Sequence, residues 1–147
     1  MPSVLLIEDD DQYREALAIA LVACGYTVTQ AKEGEQGVKL FRVKPTDLVI
    51  TEIVMPNKEG TAVVAELRRE FPDVGIIAVS GGRAQDAPLY LKIAEGFGAD
   101  RTLKKPFTFA TLFHALEESQ NIRRRQCQTS NSEEPPNRGR LRDSSVP

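Results

Sequence analysis

A chain of 147 residues with 41% hydrophobic and 27% charged residues and a net charge of −2 suits one globular domain and leaves no room for two of ordinary size. No apolar run approaches the ~18 residues a membrane span needs, and Met1-Pro2-Ser3 leads into an apolar strand with no basic leader, so a reducing cytoplasm is expected. The charge is uneven: residues 1–122 carry 13 Lys/Arg against 18 Asp/Glu, whereas residues 123–147 carry six Arg against three acids.

In chain order, Val4–Ile7 is a continuous apolar run closed by Glu8-Asp9-Asp10-Asp11, a buried strand entering an acidic loop. From Gln12 to Ala23 a helix is predicted, with Tyr13, Ala16, Leu17, Ala20, Leu21 and Cys24 at helical spacing and Gly25 as its stop. Cys24 is therefore expected to pack, and neither it nor Cys127 suggests a disulfide, a nucleophile or a metal ligand. Tyr26–Ala31 alternates as a second strand, and Gly34–Phe41 is a short helix stopped before Pro45. Leu48–Thr51 is the third strand. Thr61–Phe71 is a helix with Val63, Val64, Leu67 and Phe71 on one face, ended by Pro72. Val74–Val79 is the fourth strand, Ala87–Phe97 a weaker helix and Arg101–Lys104 a short fifth strand. Thr108 is placed to cap a last helix presenting Leu112, Phe113, Leu116 and Ile122. Residues 1–122 thus form the domain. Residues 123–125 read as its fraying end and 126–147 as a disordered basic tail, since they have no apolar periodicity to offset ordering entropy.

Alternating strands and helices of these lengths imply an α/β fold, a five-stranded parallel sheet with helices on both faces. Ligands of such sheets bind outside the carboxyl ends of the strands, near the point where strand order reverses. Glu8 and Asp9 follow the first strand there and Glu52 ends the third. Three converging carboxylates would repel unless a cation sat among them, and hard oxygen donors suit Mg²⁺. Ser80 offers a hydroxyl at the end of the fourth strand, with Gly81-Gly82 allowing close backbone approach, and Lys105 brings a positive charge after the fifth. Pro106 fixes the turn beyond it, and a cis bond is open to it. Each feature alone has a plainer reading: a solvated acidic loop, a turn, a surface lysine. Their joint order is what points to a cation and a phosphoryl group.

The segments Val4–Asp10, Asp47–Pro56 with Gly60, Ile77–Gly81 and Gly98-Ala99-Asp100 leading to Lys104-Lys105-Pro106-Phe107 resemble the response-regulator receiver domain of two-component signalling, over residues 2 to about 122. The resemblance implies a (βα)5 flavodoxin-like three-layer sandwich and Mg²⁺ held by Glu8, Asp9, position 52 and the Val54 carbonyl. It makes position 52 the phosphoacceptor, Ser80 the switch hydroxyl and Lys105 the phosphate-contacting lysine. It also implies a sensor histidine kinase or phosphotransfer protein as phosphodonor. Output would pass through protein contacts, including a homodimer, on the face of the fourth helix, fifth strand and fifth helix.

The sequence departs from that pattern twice, with Glu52 in place of the acceptor Asp and Thr102 in place of a switch aromatic. A carboxylate displaced by one methylene is misplaced for in-line transfer by roughly 1 Å. The expectation is a stand-alone receiver or excised fragment, not an enzyme, whose Glu52 blocks or mimics phosphorylation through contacts to Lys105 or Ser80. An active Mg²⁺-dependent phosphotransfer receiver and a phosphorylation-independent binding module are the alternatives. A haloacid-dehalogenase-like phosphatase would use Asp9 and Asp11, but Gln12 and Tyr13 do not continue its motif and no cap-sized insertion exists. The arginines of 123–147, interleaved with acids and without aromatics, are a weak signal for nucleic acid, and no membrane partner is expected. His114, the only histidine, reads as a packing or surface residue of the last helix.

Overall fold

The computed structural model describes residues 2–81 and 87–132. Its elements alternate as β1 (Ser3–Ile7), α1 (Asp11–Ala23), β2 (Thr27–Ala31), α2 (Gly34–Val43), β3 (Leu48–Glu52), α3 (Gly60–Glu70), β4 (Gly75–Ser80), α4 (Ala87–Phe97), β5 (Arg101–Lys104) and α5 (Phe109–Ser132). All five strands run parallel in the order β2-β1-β3-β4-β5. The order reverses at β1, so the crevice between the ends of β1 and β3 is where such a sheet binds ligands. In register, Ile7 lies beside Thr51, Glu52 beside Val79 and Ser80 beside Lys104.

Side chains of a strand alternate faces, and both faces of this sheet are covered. Val4, Leu6, Leu48, Ile50, Ile77 and Val79 point to one side, where Leu17, Ala18 and Leu21 of α1 and Leu112, Ala115 and Leu116 of α5 pack on them. Leu5, Ile7, Val49 and Ile76 point to the other, against Val38 and Phe41 of α2 and Val63, Val64 and Leu67 of α3. Ala94 of α4 packs beside Ile53 and Ala78. This is the three-layer flavodoxin-like sandwich, and central strands buried on both sides explain why β3 and β4 read as unbroken apolar runs.

The predicted helix ends are chemically recognisable. Asp10 caps α1, its Oδ1 accepting from the Tyr13 N–H at 3.0 Å. Thr108 Oγ1 accepts from the Thr111 N–H at 3.1 Å, and Gly25 leaves α1 at φ 96°. Asp10→Ala should therefore cost about 1 kcal/mol. A chemical-denaturation curve unchanged by that substitution would show the cap to be idle.

Two expectations are corrected. On α1 the buried face is Arg14, Leu17, Ala18 and Leu21, while Ala16 and Cys24 are exposed. Cys24 would share the face of Leu21 in a longer helix, but α1 ends at Ala23 and the chain turns away at Gly25. At the other end, α5 continues through 123–125 to Ser132 where a frayed end and tail were expected. Arg and Gln are good helix formers without apolar periodicity, and the Thr129 hydroxyl donates back to the Arg125 carbonyl at 3.1 Å. Residues 133–147 lie outside the described residues, as does the tail reading for them. Among the described residues no helix is long and apolar enough to cross a membrane.

Candidate functional site

Four consecutive acids leave β1, and the fold gives each a different environment. Glu8 turns inward and is 3% exposed. Asp9 stays exposed at the cleft, Asp10 caps α1, and Asp11 is held by Arg14 Nη2 at 2.6 Å. The Arg14 hydrogen bond holds the Asp11 carboxyl below the usual carboxylate range. Arg14, buried beneath the loop, also donates to the Glu8 carbonyl at 2.9 Å and to Gln30 Oε1 at 3.2 Å. Composition and spacing did not reveal this arginine. Only its place on the buried stripe, in phase with Leu17 and Leu21, could have done so.

Glu52 ends β3 with its side chain buried. Its Oε1 accepts from the Gly81 N–H at 3.0 Å. Lys105 Nζ lies 2.9 Å from Glu52 Oε2 and 3.0 Å from Glu8 Oε2. The Glu52 contact is an ion pair off the hydrogen-bonding direction, whereas Lys105 donates to Glu8 in good geometry. Burial would lower the Lys105 pKa, but Glu52 and Glu8 outweigh it and the ammonium is held above its ordinary value. The lysine stem crosses Gly81, where a Cβ would stand 2.6 Å from Lys105 Cδ. The Lys105–Pro106 bond is cis. These groups line an open cleft of about 410 Å³ with Asp9, Asp10, Tyr13 and Val54.

The oxygens expected to hold Mg²⁺ share this cleft with a lysine. Glu8, Asp9 and the Val54 carbonyl offer hard oxygens, but the Lys105 ammonium already stands between Glu8 and Glu52. Among the described residues no three Asp, Glu, His or Cys side chains converge on a metal position. An internal lysine thus stands between Glu8 and Glu52, where the sequence suggested a metal cation, while Asp9 stays exposed at the cleft. Glu8 is pushed up to about 7 by burial and by the Glu52 charge, with Lys105 opposing both.

That shift has a pH consequence. Near pH 6 folded Glu8 keeps a proton the unfolded chain has lost, so its contribution is full below about 4.5 and disappears as pH rises through about 7. Thermal unfolding midpoints should fall from about pH 5 to about pH 8, and Glu8→Gln should flatten that fall. An equal slope in both proteins would mean Glu8 is ionised throughout.

Two other expected residues stand differently. Ser80 Oγ is buried at the end of β4 and has no hydrogen-bond partner among the described residues, so the contact to Glu52 is not made. Thr102 lies outside the cleft lining, its Oγ1 3.3 Å from Glu95 Oε1. Gly82 lies outside the described residues.

At the opposite end of the sheet is a second polar centre that the sequence left unassigned. The Asp100 side chain, 2% exposed, accepts from the Ile76 N–H at 2.9 Å and the Ser119 hydroxyl at 2.8 Å. Arg68 and Arg123 both pair with it, and Arg123 Nε reaches Oδ2 at 3.1 Å. Burial, with the neighbouring Arg68 charge, pushes the Arg123 guanidinium down to about 10. This centre ties α3, β4 and α5 together far from the cleft.

A doubly covered parallel sheet ordered 2-1-3-4-5, with acids after its first strand, an acid ending the third, a hydroxyl ending the fourth and a lysine after the fifth, defines the receiver class of signalling domain. The response regulator receiver domain model matches residues 4–117, and the chain belongs to that family. It is 34% identical over 116 residues to the probable C4-dicarboxylate response regulator DctR of Bacillus subtilis, covering 78% of this chain and 50% of that protein. It is 35% identical over 121 residues to the sensor kinase CckA of Brucella abortus, covering 79% of this chain and 12% of that one. The chain thus spans half or less of the curated relatives it matches. Among solved structures it is similar to the response regulator TrrA of Thermotoga maritima in complex with Mg(2+)-BeF (TM-score 0.70, 29% identity, 81% of this chain and 99% of that one). A receiver domain protein of Clostridium thermocellum gives a TM-score of 0.77 at 25% identity, covering 84% and 98%.

Proposed function

We propose that this receiver domain is held in one signalling state by Glu52 and acts through protein contacts. The observation that carries the reading is the Glu52 carboxylate itself. It already engages Lys105 Nζ at 2.9 Å and the Gly81 N–H at 3.0 Å, donors suited to an incoming phosphoryl oxygen. A receiver with those donors filled has little left to offer a phosphodonor. The mimicry is incomplete, because Ser80 Oγ remains without a partner among the described residues. One carboxylate also brings fewer acceptor oxygens than an acyl phosphate.

In this reading the partners are a sensor kinase or phosphotransfer protein on the pocket side and a downstream protein, or a second copy, on the α4–β5–α5 face. Leu89, Ile93 and Phe97, spaced four apart on α4, are solvent-accessible, as is Phe109 at the start of α5. The Mg²⁺ ligands proposed are Glu8, Asp9, Glu52 and the Val54 carbonyl, with Lys105 moved from between the two glutamates. The test is the intact mass of this protein after incubation with Mg²⁺ and acetyl phosphate, beside its Glu52→Asp variant.

A further inference from the structure

Lysine side chains lose much rotamer freedom when held in one place, so a lysine fixed between two carboxylates invites the question of what else restrains it. Ahead of Lys105 Nζ stand Glu8 and Glu52 at 3.0 and 2.9 Å, and beneath its stem lies Gly81. On a further side Nζ lies 3.9 Å from the centroid of the Tyr13 ring. An ammonium over an aromatic face is attracted by the ring quadrupole, more strongly where water is displaced. Tyr13 is itself half-buried, and burial raises its phenol pKa. The Tyr13 and Phe107 rings lie 6.4 Å apart at 89°, an edge-to-face pair. Phe107 lies two residues beyond Lys105, so the same ring touches both sides of the turn that carries the lysine. Asp10 fixes the ring's origin by capping the Tyr13 N–H at 3.0 Å.

We infer that Tyr13 is a positioning residue for Lys105: its ring face holds the ammonium between Glu8 and Glu52 and so makes the first turn of α1 part of the phosphoryl-site machinery. The inference needs the receiver reading only for its kinetic consequence. The placement of the lysine is testable without it.

The deciding experiment is NMR of the Lys105 ammonium, assigned with Lys105→Arg, in the full chain and in Tyr13→Phe and Tyr13→Leu variants. An ammonium held out of exchange gives a resolved ¹H–¹⁵Nζ signal. The signal should persist with Phe, which keeps the ring face, and vanish or broaden with Leu. The amide spectrum of the sheet reports that both variants fold. A signal equally sharp in Tyr13→Leu overturns the inference, as does loss of the signal in Tyr13→Phe. In a Glu52→Asp background, Tyr13→Leu should slow phosphoryl uptake from acetyl phosphate about tenfold, with Tyr13→Phe close to its parent. If the Glu52→Asp protein takes up no phosphoryl group, the receiver reading of the site fails, and the ammonium signal still decides the role of Tyr13.

Discussion

Incubated with Mg²⁺ and acetyl phosphate, the Glu52→Asp protein is expected to gain the mass of one phosphoryl group while the Glu52 protein gains none. Phosphoryl transfer demands little covalent work from a protein and much positioning. In the folded chain the Glu52 carboxylate sits against Lys105 and the Gly81 N–H, so it covers the donors that the transferring oxygens require. Removing one methylene draws the carboxylate back by roughly 1 Å and frees that space. It also loosens the Lys105 bridge between Glu52 and Glu8. Uptake by the unsubstituted protein would overturn the locked reading and direct attention to the modified residue. Absence of uptake in both would leave the pocket a structural resemblance, with partner binding as the function.

The largest loss of stability is expected from Asp100→Ala. That carboxylate is almost fully buried and answers two arginines, a backbone N–H and a hydroxyl. Its removal leaves Arg68 and Arg123 side by side with only the more distant Asp73 charge to answer both, a change that typically costs about 3–5 kcal/mol. Against a usual domain stability of about 5–15 kcal/mol, that is a large share. Urea unfolding should show it as a lowered midpoint with little change in slope. Asp100→Asn, which retains acceptors for Ile76 and Ser119 but loses the charge, should fall between. A loss below about 1 kcal/mol for Asp100→Ala would mean the arginines find water or other carbonyls instead.

The fold was legible because the sheet is buried on both faces. Apolar runs such as Leu48–Ile50 and Ile76–Val79 are short, rich in Val and Ile and bounded by turn residues, which marks buried strands, and the helices between them carry clear stops. Strand order also brings Glu8, Glu52 and Lys105 to one cleft at the carboxyl end of the sheet, with Ser80 buried nearby at the end of β4. How they pair was not legible. Counting carboxylates pointed to a cation among them, but the lysine that stands between Glu8 and Glu52 could not be read from spacing along the chain. The extent of α5 escaped for a related reason. Residues 123–132 have no apolar stripe, and the anchor that extends the helix is a charge pair between Arg123 and Asp100, 23 positions apart in sequence.

The single rod formed by α5 has a mechanical consequence. It begins four residues after Lys105, at the rim of the cleft, and at 1.5 Å per residue its 24 residues measure roughly 36 Å. The Arg123–Asp100 fastening works as a fulcrum well down its length, and from Arg123 to Ser132 the rod reaches a further ~14 Å. A tilt of about 10° about that fulcrum moves the Ser132 end by roughly 2 Å and the longer Phe109 arm by roughly 4 Å the other way, so a shift at the cleft rim reaches the far end of the domain reversed in direction and reduced.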